Sequence, residues 1–217
     1  MEEQKASGLC LILSGGEFCA LPEELRRTAD CVIACDKGYE YAERLGLKPD
    51  LIIGDFDSSP PPVTDLPVER LPTRKDDTDT MLGVKRALER GFRDIVICCA
   101  LGGRLDHAFA NIQSAAFVAA RGGRARLLGE DTDIVVFRDS KQVFPRREGW
   151  SFSVFALSDE CSGVSVEGTK YACRDVTLRN SFPLGVSNVW TAKEAAVSAD
   201  RGILMVVQSR LKNGEHI

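Results

Sequence analysis

The sequence has no CxxC pair, no GxxxxGK(S/T) loop, no GxGxxG turn and no apolar run long enough to cross a bilayer. The first absence removes the usual zinc and thiol-redox spacings. The next two remove the Walker P-loop and the dinucleotide fingerprint, and the last a spanning helix. Excess positive charge is missing too: 28 Lys and Arg stand against 32 Asp and Glu, a net charge of −4. That balance argues against a nucleic-acid partner. It leaves a small anionic ligand open, because a few placed residues bind one whatever the net charge. The start, MEEQKASGLCLILSGG, opens on two acids and lacks the basic stretch and cleavage site of a secretory signal. The expected location is therefore cytoplasmic, away from any membrane. Internal repeats and low-complexity tracts are absent as well.

What is present is an ordinary globular composition, 44% hydrophobic and 28% charged, over 217 residues. That length suits one large domain or two small ones. Eight cysteines are scattered without ligand spacing, and Cys10, Cys31, Cys35 and Cys98 lie inside apolar runs. A thiol in such a run behaves as a small buried hydrophobe, so the cysteines read as core. Up to about residue 128, short apolar runs alternate with amphipathic stretches. Strands are expected at Gly8–Leu13, Cys31–Cys35, Leu51–Ile53, Val68–Leu71, Ile95–Cys99 and Ala125–Leu128. Helices are expected at Leu21–Thr28, Gly38–Leu45, Thr80–Arg90 and Leu105–Arg121. Buried β-branched strands alternating with helices indicate an α/β fold with a mostly parallel sheet. Beyond Gly129 the runs are short, strand-like and punctuated by Gly, Pro and Ser, which indicates an all-β sandwich module. The expected domains are 1–130, α/β, and 131–217, β-sandwich.

Ligands of open parallel sheets gather at the carboxyl ends of the strands. The segments following these strands are SGGE (Ser14–Glu17), CDKG (Cys35–Gly38), GDFDS (Gly54–Ser58), RKDDTDT (Arg74–Thr80) and GGRLDH (Gly102–His107). All five are expected on one edge. Asp55 and Asp57 are two apart, so an extended segment points both carboxylates the same way. Asp76, Asp77 and Asp79 stand at a helix start, and Asp106 follows in the next helix. Singly, such acids cap helices or close turns as often as they bind ligands. Gathered on three loops of one edge, they repel one another unless a cation lies among them. Magnesium, which takes one or two carboxylates and completes its shell with phosphate oxygens and water, fits that need. Gly15-Gly16, Gly38 and Gly102-Gly103 let backbone N–H groups approach an anion, with Arg104 and Lys75 supplying positive charge. His107 either touches a ligand or packs within its helix.

Together these loops resemble the thiamine pyrophosphokinases. GDFDS after PDLIIG, KDDTDT ahead of an amphipathic helix and GGRLDH ahead of AFANIQ are similar to that family's three-part signature. GTKYAC (Gly168–Cys173) and GVSN (Gly185–Asn188) are similar to its two C-terminal motifs. The five occur in order, and the resemblance runs from Leu9 to about Val207. It implies transfer of the diphosphate group of ATP to the hydroxyl of thiamine, giving thiamine diphosphate and AMP. It also implies Mg2+ as cofactor and a homodimer with active sites between subunits, residues 1–130 being the nucleotide-binding catalytic domain and 131–217 the thiamine-binding one. By the resemblance, Asp55, Asp57 and Asp79 hold magnesium and the reacting phosphates. Asp106 supports that catalytic cluster or binds ATP beside Arg104. Gly15, Gly16, Asp36, Lys37, Gly38, His107 and Asn111 fall on the ATP side. Lys75, Thr78, Asp79, Tyr171, Ser187 and Asn188 fall on the thiamine side.

One departure stands out: many members carry a glycine pair after the second-strand Asp, where this chain has Asp36-Lys37-Gly38. Lys37 either adds a phosphate contact or faces solvent. Tyr171 occupies a position often aromatic in the family, where a ring face suits a thiazolium cation; the alternative is packing in the sandwich. Two other enzymes share parts of the pattern: a pyrophosphokinase for another hydroxymethyl acceptor such as a pterin, and a metal-dependent nucleotide-sugar transferase. The latter leaves KDDTDT and GGRLDH without a task. A non-catalytic nucleotide or thiamine sensor would bind without turnover.

Overall fold

Runs of Ile, Val, Leu and Cys form strands buried on both faces in the first part of the chain, as a sheet covered by helices requires. The computed structural model describes residues 8–56, 64–72 and 76–212. It divides into two units, Met1–Val118 with Gly123–Glu130, and Asp131–Ile217 with Ala119–Gly122.

The strands of the first unit are β1 (Leu9–Leu13), β2 (Ala29–Cys35), β3 (Leu51–Gly54), β4 (Val68–Arg70), β5 (Asp94–Cys98) and β6 (Arg124–Leu128). Its helices are α1 (Glu23–Thr28), α2 (Gly38–Arg44), α3 (Asp79–Glu89) and α4 (Leu105–Ala120). The strands lie in the order β6-β5-β1-β2-β3-β4, and every pairing is parallel. From β1 the chain moves outward through β2 and β3 to β4, then returns to the other side of β1 as β5. The order therefore reverses between β1 and β5, which opens a crevice at their carboxyl ends. Leu11, Ile12, Leu13, Ile33, Ile95 and Ile97 are fully buried. Helix α3 lies close over the sheet at Gly83, where a side-chain carbon would stand 2.8 Å from the Cys35 sulfur. Tight approach of helix to sheet explains a glycine in mid-helix, which otherwise costs about 0.5–1 kcal/mol against alanine.

The second unit is antiparallel throughout. Its strands are β7 (Thr132–Arg138), β8 (Lys141–Pro145), β9 (Trp150–Ala156), β10 (Glu160–Glu167), β11 (Cys173–Arg179), β12 (Gly185–Asn188), β13 (Glu194–Ser198) and β14 (Ile203–Arg210). One layer runs β12-β9-β14-β7 and the other β11-β10-β13-β8. Their inner faces share one core. Phe152 from the first layer meets Phe144 of the second edge-on at 5.3 Å and Trp190 at 4.9 Å. The Trp190 indole N–H donates to the Phe144 carbonyl at 3.0 Å, so its polar edge is satisfied inside the core. All eight cysteines are free thiols, seven of them buried.

Sequence and structure differ in three places. Helix α3 begins at Asp79, capped by Thr78, whose hydroxyl accepts from the Met81 N–H at 3.1 Å. Asp76 and Asp77 do not cap it, and Asp77 instead pairs with Lys85 at 2.6 Å. Pro22 precedes α1 in an extended conformation, ψ 138°, rather than lying in its first turn. Neither β12, read from the sequence only as the GVSN motif, nor β11 has a counterpart among the expected strands; CRDVTLR of β11 carries alternating charges rather than an apolar face. It is an edge strand, where such charges are tolerated.

Candidate active site

At the carboxyl edge of the first unit lies a cleft of about 570 Å3, within the usual range for small-molecule sites. Loops following β1, β2, β3 and β5, together with the start of α3, all contribute to its lining. Directly beyond three of those strands the chain turns through left-handed backbone at Asp36 (φ 47°), Phe56 (φ 53°) and Cys99 (φ 54°). Such a conformation in a phenylalanine is rare and costs on the order of 1–3 kcal/mol. It persists only where surrounding bonds impose it. Here the Asp36 N–H is held by the Ile53 carbonyl at 2.8 Å, and the Cys99 carbonyl accepts from Gly16 N–H at 2.8 Å.

Gly15 and Gly16 line the cleft with exposed backbone. Gly16 is held by Cys99 and by the Tyr41 hydroxyl, which donates to its carbonyl at 2.8 Å. Asp36 and Lys37 line it from β2. The Asp36 carboxylate lies over Gly54, where a side-chain carbon would stand 2.7 Å from its Oδ1. The Lys37 ammonium lies 5.7 Å from the Tyr41 ring centroid. Gly38 is not in the lining; it is buried beneath Lys37, and a side chain there would overlap the Leu13 carbonyl. Its glycine serves close packing of α2 on β1.

Thr78 and Asp79 line the cleft at the mouth of α3, with the Thr78 hydroxyl used as the cap. The neighbouring Thr80 hydroxyl is buried against that of Ser14, 2.6 Å away, which ties the start of α3 to the end of β1. Arg104, His107 and Asn111 enter from the loop after β5 and from α4. Asn111 is buried and donates to the Ala100 carbonyl at 2.7 Å, bracing the turn ahead of Gly102. Asp106 lies beside the lining rather than in it. Its carboxylate accepts two bonds from the Arg104 fork, at 3.1 and 2.5 Å, which hold it below the usual carboxylate range. Asp55 is half-buried at the end of β3, next to Phe56, which does line the cleft. Asp57 and Lys75 lie outside the described residues.

Six cleft residues were not singled out as site residues from the sequence: Ser14, Glu17, Phe56, Thr80, Ala100 and Ala110. Each stands within or beside a motif; Ser14, Glu17, Phe56 and Ala100 follow buried strands, whereas Thr80 lies in the first turn of α3. Behind the cleft the Cys19 and Cys99 sulfurs are 3.8 Å apart. The Cys99 thiol bond brings Cys19 down to about 7, and Cys99 itself is pushed up.

In the second unit, Tyr171 is 59% exposed and outside the core. Asn188 is buried and its amide is fully engaged. Its nitrogen donates to the Thr169 hydroxyl and the Tyr171 carbonyl, both at 3.0 Å. Its oxygen accepts from the Tyr171 N–H at 2.9 Å and the Val189 N–H at 3.0 Å. With every donor and acceptor taken, Asn188 shapes the segment that presents Tyr171. Ser187 is exposed at φ 59°, its N–H donating to the Ser153 hydroxyl at 3.1 Å.

Of the comparisons with known proteins, the family model covers most of the first unit, and whole-chain relatives extend over both. Residues 22–126 match the family described as Thiamin pyrophosphokinase, catalytic domain. A curated thiamine pyrophosphokinase of Bacillus subtilis (strain 168) is 26% identical over 211 residues, covering 91% of this chain and 97% of that protein. The crystal structure of thiamine pyrophosphokinase from Bacillus subtilis superposes with a TM-score of 0.80 at 25% identity, covering 93% of this chain and 99% of that one. The yeast thiamin pyrophosphokinase structure, 12% identical, shares the fold with a TM-score of 0.70 over 95% of this chain and 88% of its own.

Proposed function

We propose that this chain, which matches the catalytic domain of the thiamine pyrophosphokinase family and is related to its members over nearly its whole length, transfers the diphosphate end of ATP to the hydroxyl of thiamine. The products are thiamine diphosphate and AMP. The observation that carries this reading is the arrival of Gly15-Gly16, Lys37, Asp79 and Arg104 from four separate segments at one cleft where the strand order reverses.

Phosphoryl chemistry asks a protein mainly for positioning and charge neutralisation. The exposed Gly15 backbone, in the turn that the Gly16 N–H braces on Cys99, and the cations Lys37 and Arg104 hold the phosphates, and Asp106 orients Arg104. Among the described residues no three His, Cys, Asp or Glu side chains form a metal cage by themselves. Asp36 and Asp79 line the cleft, with Asp55 close behind. One or two carboxylates, with phosphate oxygens and water completing the shell, is magnesium's habit, so the donor set fits it. Asp55, Asp57 and Asp79 would hold the ion. When bound, it neutralises charge on the phosphoryl oxygens under attack. The thiamine hydroxyl attacks the β-phosphorus in line, its proton passing to a carboxylate of this set, and AMP leaves.

Thiamine is recognised by Thr78 and Asp79 and, from the β unit, by Tyr171 and Ser187, with Asn188 as a positioning residue; Lys75 joins them by its place in the motif. The division of motifs supports a homodimer in which the α/β unit of one copy and the β unit of the other complete each site. We place the enzyme in the cytoplasm, where ATP and magnesium are supplied; no helix among the described residues is long and apolar enough to cross a membrane. Incubation with ATP, magnesium and thiamine tests the assignment, and AMP and thiamine diphosphate should appear in equal amounts. Turnover with a hydroxymethylpterin but not with thiamine would replace the acceptor. Tight binding of ATP and thiamine without product would make the protein a sensor.

A further inference from the structure

The segment Ser14–Cys19 is clamped on both sides of Glu17. Gly16 is tied to Cys99 and Tyr41. The Phe18 ring lies 3.6 Å below the Arg44 guanidinium and 5.4 Å from the Tyr41 ring. The Cys19 N–H reaches the Cys99 sulfur at 3.5 Å. None of these bonds needs the Glu17 side chain, which is left to do something else. It lines the cleft and crosses to the other loop, where Oε1 accepts from the Gly103 N–H at 3.0 Å. The carboxylate also lies so close to Gly102 that a side chain on that residue would overlap it. Gly102 (φ 81°) and Gly103 (φ 62°) form the left-handed turn that opens the sixteen-residue helix α4. A protein carboxylate thus occupies an amide that the turn offers to an anion. Among the described residues no Lys or Arg forms a salt bridge with Glu17, and the adjacent Arg104 is forked onto Asp106.

We infer that Glu17 is a specificity-determining residue that selects the magnesium complex of the nucleotide over the metal-free nucleotide. This rests on the nucleotide reading of the cleft. A metal-free triphosphate must compete with Glu17 for the Gly103 N–H and then remain beside a fixed negative charge. The magnesium complex carries two fewer negative charges and brings a cation that a carboxylate attracts. Glu17 therefore penalises the first form and tolerates or favours the second.

Titration calorimetry with ATP in EDTA, and with ATP in excess magnesium, reads the effect directly. Glu17→Gln keeps an oxygen acceptor for Gly103 and removes only the charge. It should tighten binding of metal-free ATP by about three- to fivefold, the scale of a partly screened surface charge. Binding of the magnesium complex should change by less than about twofold or weaken, so the ratio of the two affinities narrows. Glu17→Ala should shift metal-free binding in the same direction, and unchanged melting midpoints show that both variants are folded. An unchanged ratio, or weaker metal-free binding in Glu17→Gln, would overturn the inference and make Glu17 a brace for the turn. If the wild-type protein bound neither form, the nucleotide reading itself would fall.

Discussion

Asp36, Phe56 and Cys99 each take a backbone conformation that L residues avoid, and each stands directly beyond a strand that frames the cleft. Strain of this kind keeps side chains aimed at a ligand rather than relaxed into the sheet. Asp36 and Asp79 line one cleft and Asp55 stands beside its lining residue Phe56, so neutralising one removes a like charge from that edge as well as chemistry. Asp79→Asn and Asp55→Asn should each lower kcat by about a hundredfold or more, the usual scale for losing charge stabilisation in a transition state. The melting midpoint of the ligand-free protein should hold or rise. Near-normal turnover in saturating magnesium would remove that residue from the mechanism. Tyr171 presents a ring that is not core. Tyr171→Ala should raise the thiamine KM by about tenfold, equivalent to ~1–2 kcal/mol of stacking, and move the ATP KM little. Tyr171→Trp should keep much of the function. Parallel movement of both KM values would make Tyr171 structural. Motif residues such as Asp79 and Arg104 were legible because a charged residue after a buried strand has few other reasons to be there. The packing demand on Gly38 was not legible, since the sequence does not show that the Leu13 carbonyl stands over it.

Among the elements, β4 and α3 are joined by a two-pronged ion pair. Arg86 donates to both Glu69 oxygens, at 2.8 and 2.5 Å, and to Glu89 at 2.8 Å. The Arg86 fork lowers the Glu69 carboxyl below its ordinary value of 4.5. A carboxyl depressed in the folded state contributes stability that is complete above its unfolded pKa and lost as pH falls through the folded value. Both side chains are about a third exposed, so screening limits the contribution to about 0.5 kcal/mol. Glu69→Gln should therefore lower the melting midpoint by ~1–2 °C at pH 7. The difference should vanish as pH falls below the ordinary carboxylate range. A constant difference across that range would mean packing, not charge, holds β4 to α3. The buried parallel strands were legible to within a residue or two, because continuous β-branched runs have one reading in a covered sheet. Strand β11 was not. It pairs irregularly with β10, with register shifts beside Val164 and a left-handed residue at Asp175, and it buries only Leu178. Nothing in its alternating charges marks it as a strand until its partner is known.

On the scale of the whole molecule, the phosphate and metal motifs all precede Gly129, whereas Tyr171, Ser187 and Asn188 follow it. A closed two-fold dimer would make two equivalent sites from complementary halves. Asp79→Asn and the double variant Tyr171→Ala/Ser187→Ala, each weak at limiting thiamine, can be mixed and their subunits exchanged. Half of randomly paired dimers are mixed, and each contains one site free of substitutions, so activity should recover to about a quarter of wild type. Verified exchange without recovery would place both motif groups in the same subunit.

In the proposed reaction the β-phosphorus of ATP is attacked and two phosphoryl groups move as one. ATP labelled in turn at the α-, β- and γ-phosphorus, incubated with magnesium and thiamine, tests it most directly. The α label should stay in AMP while the β and γ labels pass together into thiamine diphosphate. Transfer of the γ label alone, with ADP as the other product, would contradict it.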